Sequence, residues 1–298
     1  MSLDLTESPR DDGLTIRAAN PWALDKLAIV ECYVHGFSTA CSKQPSWQIV
    51  DGFAGPGVNR LKGTDQLVWG TPMVCLGVEP HVPRILAMDL GTDEVSSLAG
   101  RTEDFRSRIS VRQGDVNEDL LPAMREDLSL TAPTLCILDP EGMELDFRTI
   151  EDISRFRKGR TKVEILVLFP THTGFLRTLT EKGGGFSWAP DLMDRLFGTG
   201  EWRTIWERRK AGLSSDQATA EYVTLFGRQL ERLGYTHVLD RQIRERGRTG
   251  RLGYYLIFAS QHPAGGRIMD HCFDTRYSVD NEQLSLFGAV PRVSHLKQ

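Results

Sequence analysis

Closely spaced cysteines are missing from this 298-residue sequence. Its five cysteines, Cys32, Cys41, Cys75, Cys136 and Cys272, are scattered and odd in number, and no C-x-x-C spacing occurs. Neither a disulfide scaffold nor a zinc or iron–sulfur site is therefore expected, and a reducing cytoplasm is the expected compartment. Long apolar runs are missing too. The longest, near Ile165 to Phe169, is far too short to cross a bilayer, so no membrane association is expected. The start of the chain is acidic and polar and carries no apolar leader core. No sign of charge dominates: 36 Lys and Arg stand against 40 Asp and Glu, for a net charge of −4. That excludes a global basic field, so any nucleic-acid contact has to use a local patch. No internal repeat is present.

Short apolar runs alternating with helical patterns fill most of the chain. Residues 1–19 read as a flexible arm. Asn20-Pro21 reads as a helix start, with Asn as cap and Pro in the first turn, and Leu24, Leu27, Ala28, Tyr33 and Val34 keep helical spacing to about Thr39. Strands are predicted at Gln48–Asp51, Arg84–Asp89, Ile109–Val111, Leu135–Leu138 and Val163–Phe169, with helices between them. The alternation implies an α/β, Rossmann-like, doubly wound and mostly parallel sheet. After the fifth strand the regularity breaks. Residues 176–215 hold Gly183-Gly184-Gly185, Trp188, Trp202, Trp206 and the run Arg208-Arg209-Lys210, and read as a helical insertion over the ligand face. His237–Ile243 and Arg251–Ser260 bracket a turn and add a two-stranded antiparallel end, giving seven strands. One domain over 20–275 follows, with a tail over 276–298.

The most informative stretch is Gln48-Ile-Val-Asp-Gly-Phe-Ala-Gly-Pro-Gly57. An apolar run ends in Asp51, and glycines follow at 52, 55 and 57, as where a buried strand turns into a loop whose backbone touches a ligand. A dinucleotide site opens straight into a helix, whereas here a loop runs on to Trp69 before the helix at Thr71-Pro72. Asp51, Asp89, Asp115 and Asp139 all fall at successive strand ends, where ligands bind in open α/β sheets. A single such acid reads as a cap or turn former. Four of them beside the glycine loop read as a nucleoside site, either a generic Rossmann site or, with more support, one for S-adenosylmethionine. In the second reading Gly52, Phe53, Ala54, Gly55 and Gly57 border the methionine part, and Asp89 takes the ribose hydroxyls. Asp115, with Val116 beside it, takes the adenine, and Asp51 and Asp139 face the amino group and the acceptor.

The sequence resembles the three-Cys-motif partner family, a branch of the class I S-adenosylmethionine methyltransferase-like proteins. The resemblance is carried by the helix with Lys26, Asp51-Gly-Phe-Ala-Gly-Pro-Gly57, Gly70-Thr-Pro72, Gly114-Asp-Val-Asn117, Asp139-Pro-Glu-Gly142 and the closing strand Tyr255–Ser260. It covers roughly residues 20 to 275. It implies a methyltransferase fold and association with a second protein that bears a three-cysteine motif, similar to radical-SAM enzymes. This chain lacks that motif. It also departs at position 141, where the family often has an aromatic residue and this sequence has Glu141, which removes a ring for stacking on a target base.

For catalysis, Asp139 can accept a hydrogen bond from an amine or hydroxyl and Glu141 can act as base. His172, in Pro170-Thr-His-Thr-Gly174 after the fifth strand, is a third candidate, although a lone His after a strand is more often a satisfied loop residue. Two features concern partners. Arg241, Arg244, Arg246, Arg248 and Arg251 crowd one hairpin and suit phosphate contacts if the strand from His237 runs parallel to the others; the plain alternative is a solvated tip. Gln283-Leu284-Ser-Leu286-Phe287 is similar to the short peptide by which bacterial proteins dock on the replicative sliding clamp, and the plain alternative is a final turn packed on the domain. Three functions stay open: a methyltransferase acting on nucleic acid and linked to DNA, a non-catalytic cofactor-binding partner of the three-cysteine protein, and a small-molecule methyltransferase.

Overall fold

A computed structural model describes residues 3–169, 189–244 and 252–277. Its elements follow the alternation of the sequence. β1 (Arg17–Ala19) leads into α1 (Ala23–Cys41), β2 (Gln48–Asp51), β3 (Val58–Leu61), β4 (Leu67–Trp69) and α2 (Thr71–Gly77). β5 (Arg84–Asp89), α3 (Thr92–Arg101), β6 (Ile109–Gln113), α4 (Leu120–Asp127), β7 (Thr134–Leu138), α5 (Phe147–Ser154) and β8 (Glu164–Phe169) come next. The described remainder is α6 (Ala189–Phe197), α7 (Trp202–Lys210), α8 (Ser215–Arg232), β9 (His237–Arg244), β10 (Leu252–Ser260) and α9 (Pro263–Tyr277).

Seven strands form one sheet in the order β6-β5-β2-β7-β8-β10-β9. Pairing is parallel from β6 to β8; β10 is antiparallel to β8 and to β9, so β9 runs with the majority. The apolar runs are uniformly hydrophobic because helices cover both faces of the sheet: β2 and β7 are buried along their whole length. One core packs α4, α5, α6, α7 and α8 on the first face through Leu120, Ile150, Phe197, Ile205 and Phe226. The other packs α1, α2, α3 and α9 through Val34, Leu76, Leu98 and Met269.

Four expectations change. The arm is not flexible where it is described: β1 pairs in parallel with β3, Thr15 N–H donates to Ser97 Oγ at 3.0 Å, and Arg101 binds Asp12 at 2.6 Å. The stretch from Val58 to Trp69 is not a plain loop but a hairpin, β3 against β4, which with β1 makes a separate three-stranded sheet. The insertion, where described, is a core element. Met193, Leu196, Phe197, Trp202 and Ile205 are buried in the first core against α5 and α8. Finally, Cys32 of α1 and Cys272 of α9 form a disulfide across 240 residues, with Cα atoms 5.8 Å apart; Cys41, Cys75 and Cys136 are free and buried. No helix among the described residues is long and apolar enough to cross a membrane.

Candidate functional site

The parallel register fixes where the acids lie. Asp51 ends β2 and pairs across to Ala87 and Ile137, two residues short of Asp89 and Asp139 on the flanking strands. Asp89 ends β5, Asp139 directly follows β7, and Asp115 lies two residues past β6. All four predicted acids thus stand on one rim, at the carboxyl ends of adjacent strands.

Asp51 is 1% exposed. Its Oδ1 accepts the Phe53 N–H at 3.1 Å, while its Oδ2 has no hydrogen-bond partner. Burial pushes the carboxyl up to about 7, opposed by the Phe53 N–H and by the Lys26 ammonium and reinforced by the nearby charges of Asp139 and Asp89. Asp89 is also buried, but fully engaged: Oδ2 accepts the Gly55 N–H at 2.7 Å, and Oδ1 accepts the Gly91 N–H at 3.0 Å. It therefore braces the glycine loop as well as facing the rim. Asp115 Oδ1 accepts the Asn117 N–H at 2.8 Å in a local turn. Asn117 in turn ties that turn to the loop after β7, donating to the Glu144 carbonyl at 2.7 Å and accepting from Asp146 N–H at 3.0 Å.

The three loop glycines are glycines for different reasons. A Cβ on Gly52 would stand 2.9 Å from Leu138 and 3.0 Å from Val116, so core packing forbids it. Gly57, at φ +86°, would meet Leu98 at 2.9 Å. Gly55, at φ +61°, opens onto the cavity, where the nearest atom to a Cβ is Arg17 Nη1 at 3.8 Å. Only at Gly55 is the missing side chain exchanged for free space above the rim. Val116 is 7% exposed and fills the core beneath Gly52. Ala54 is buried as well, and its N–H donates to the Met88 carbonyl at 2.8 Å. Phe53 is half-buried and lines the cavity.

That cavity measures about 550 Å³, within the range of small-molecule sites. Its floor is Phe53, Ala54, Gly55, Asp139 and Pro140; its walls are α1 through Ala23, Lys26 and Leu27, with Leu168 and Tyr254; its roof is Arg17 to Asn20 with Asn59 and Lys62 of the small sheet. The Tyr254 hydroxyl donates to the Trp22 carbonyl at 3.0 Å and anchors the start of α1.

Two residues of this site were not among the candidates read from the sequence. Lys26 reaches from α1 to form an ion pair with Asp139, both side chains largely buried. Arg17 forms ion pairs with Asp89, Glu94 and Glu141. Lys26 is the only lysine or arginine of α1, which by itself did not mark it as a site residue. Arg17 had no signal, because its partners come from three distant segments. Glu141 itself is 78% exposed in its side chain and its N–H donates to Glu144 Oε1 at 2.6 Å.

The remaining candidates are less central. His172, Arg246, Arg248, Arg251 and Gln283, Leu284, Leu286 and Phe287 lie outside the described residues. β9 does run parallel to the main strands, so its end at Arg244 lies on the rim side of the sheet. Arg241 lies mid-strand, paired with Asp274 at 2.9 Å and stacked over Phe273. Of the insertion's tryptophans, Trp202 is 3% exposed and donates to Asp194 at 2.8 Å, so it is a core residue and not a stacking platform.

The strand order, with the single reversed strand next to the end, is that of the class I methyltransferase fold. No family model matches the sequence, and no curated protein is similar to it. Among solved structures, the chain is similar to a protein of Legionella pneumophila at 12% identity, over 85% of this chain and 92% of that one, with a TM-score of 0.49. An O-methyltransferase of Bacillus cereus, in complex with SAH, is 11% identical over 83% and 84% of the two chains, with a TM-score of 0.43. The METTL16 methyltransferase domain is 14% identical over 85% and 76%, with a TM-score of 0.42. At these identities the likeness concerns general architecture alone, and the fold assignment rests on the strand order.

Proposed function

We propose that the chain is an S-adenosylmethionine-dependent methyltransferase of the three-Cys-motif partner kind, acting on nucleic acid together with a three-cysteine, radical-SAM-like protein. The observation that carries the cofactor reading is Asp51 Oδ2, a carboxylate oxygen buried without a partner at the rim. A buried, unpaired polar atom costs a few kcal/mol unless something answers it, and a ligand with cationic groups answers it well. Asp89 on the neighbouring strand and the open face of Gly55 complete a cradle that fits an adenosyl group joined to a charged amino acid. When bound, that cofactor supplies a methyl group already made electrophilic by its sulfonium.

The chain's own work is then positional and acid–base. Asp139 faces the cavity beside Lys26 and can take a hydrogen bond, and then a proton, from the acceptor. The Lys26 ammonium holds the Asp139 carboxyl in place by direct pairing. Glu141, mostly in solvent, can pass a proton to water. Phe53 and Tyr254 give the cavity apolar walls that limit water around the acceptor. For nucleic acid, β9 ends at Arg244 on the rim side of the sheet, and Arg246, Arg248 and Arg251 follow in sequence. For a sliding clamp, Gln283, Leu284, Leu286 and Phe287 supply the peptide chemistry.

The second reading, a cofactor-binding partner without turnover, is favoured by Glu141, which is ion-paired to Arg17 where a stacking ring would serve a base-handling site. Labelled S-adenosylmethionine incubated with bulk DNA and RNA separates the two. Label transferred by the wild type and lost in Asp139→Ala supports the enzyme. Calorimetric binding of the cofactor with no transfer, even in the presence of the three-cysteine partner, supports the assembly role.

A further inference from the structure

Arg17, which lines the cavity, is ion-paired to carboxylates of three separate segments. Its Nη2 lies 3.5 Å from Asp89 Oδ1 and 3.4 Å from Glu94 Oε1, and its Nη1 lies 3.6 Å from Glu141 Oε1. The same Nη1 stands 3.8 Å from where a Cβ on Gly55 would be. One guanidinium thus joins the end of β5, the first turn of α3 and the loop after β7, and covers the bare face of the glycine loop. Its backbone is held by the pairing of Arg17 with Asn59 in the small sheet. Its contacts are loose. Charge-assisted bonds of good geometry run at about 2.7–2.9 Å, and all three ion pairs here are longer, so the attraction is largely Coulombic and another cation can replace it.

Resting on the cofactor reading above, we propose that Arg17 is a specificity-determining residue that sets the site's preference between the charged methyl donor and its uncharged-sulfur product. The two ligands share their adenosine, amino and carboxylate groups and differ in the sulfonium charge. With Arg17 in place, part of the negative field of Asp89, Glu94 and Glu141 is already neutralised, so the sulfonium gains less from it. Without Arg17, the whole field is left to the sulfonium, while the product, lacking that charge, gains little. A guanidinium acting instead as counter-ion to the ligand's carboxylate would contribute equally to both ligands.

The test is calorimetric titration of the full chain with S-adenosylmethionine and with S-adenosylhomocysteine. Arg17→Gln is expected to tighten the donor by about tenfold and to move the product by less than about twofold, the size of a unit charge acting across a partly solvated cavity. Arg17→Lys, which keeps the charge, is expected to hold the wild-type ratio. Arg17→Met, which keeps the length and the strand, replaces Arg17→Gln if that variant melts early. An unchanged affinity ratio, or equal weakening of both ligands, overturns the proposal. A wild type that binds neither ligand overturns the cofactor reading itself, and this proposal with it.

Discussion

Glu164 and Asp51 sit at opposite ends of the same sheet, and both are carboxylates taken almost completely out of water. At the amino end, Glu164 opens β8 and is answered on both oxygens: the Tyr33 hydroxyl donates to Oε2 at 2.6 Å and Ser260 Oγ to Oε1 at 2.7 Å. At the carboxyl end, Asp51 closes β2 with one oxygen answered and the other left alone. Burial raises the proton affinity of both. The difference teaches what each end is for. Glu164 joins α1, β8 and β10 as a satisfied network, which serves the fold. Asp51 holds an unfilled bond at the carboxyl rim of the sheet, a cost that a ligand can repay.

The comparison can be broken in four ways. The largest effect is expected from Gly55→Val, which places a branched side chain on a left-handed backbone facing the cavity. Affinity for S-adenosylmethionine should fall by more than about 100-fold in calorimetry, with the far-ultraviolet spectrum unchanged. Unchanged affinity in the folded variant would remove Gly55 from the site. Next, Glu164→Ala should cost about 3 kcal/mol in chemical denaturation, because the Tyr33 and Ser260 hydroxyls lose their acceptor. Cofactor affinity per folded molecule should not change; a loss there would tie the amino end to function. Third, Asp51→Asn should do the reverse, weakening the cofactor by about tenfold while leaving stability equal or higher.

The fourth is the pH dependence of Asp51. Its folded pKa, about 7, lies above the ordinary carboxylate value of 3.8, so folding takes up a proton between those two values. The stability it contributes is full below 3.8 and lost as pH rises through 7. The melting temperature of Asp51→Asn relative to wild type should therefore climb from pH 5 to pH 8. Ligand binding has the opposite sign, because a cationic ligand prefers the carboxylate. Wild-type affinity should drop by about tenfold from pH 8 to pH 6, with a flat profile in Asp51→Asn. A profile that stays equally steep in the variant would assign the titration to another group.

Much of this was legible in sequence. Asp51, Asp89, Asp115 and Asp139 could be placed because each ends an apolar run, and runs that alternate with helices make parallel strands whose ends share a rim. The hairpin after Gly57 was not legible. Its strands hold four and three residues, and the polar turn from Lys62 to Gln66 resembles an open loop. Arg17 and Lys26 were hidden as site residues because their partners lie far along the chain, at 89 to 141 and at 139. The Cys32–Cys272 bridge escaped for the same reason, since spacing says nothing about helices that the fold later lays side by side. All three glycines fall in the turn after β2, but two of them are there for reasons the sequence did not show: Gly52 and Gly57 make room for core side chains, and only Gly55 faces the cavity.

The small sheet shares no strand with the large one. β1 is attached to it through three register pairs, Arg17 with Asn59, Ala18 with Arg60 and Ala19 with Leu61. Peeling that edge away would uncover the chamber from above while every strand pairing of the seven-stranded platform stayed closed. The same movement would also break the Arg17 ion pairs and the Thr15 and Arg101 bonds, so the small sheet is a clasp fastened by side chains as well as by main chain.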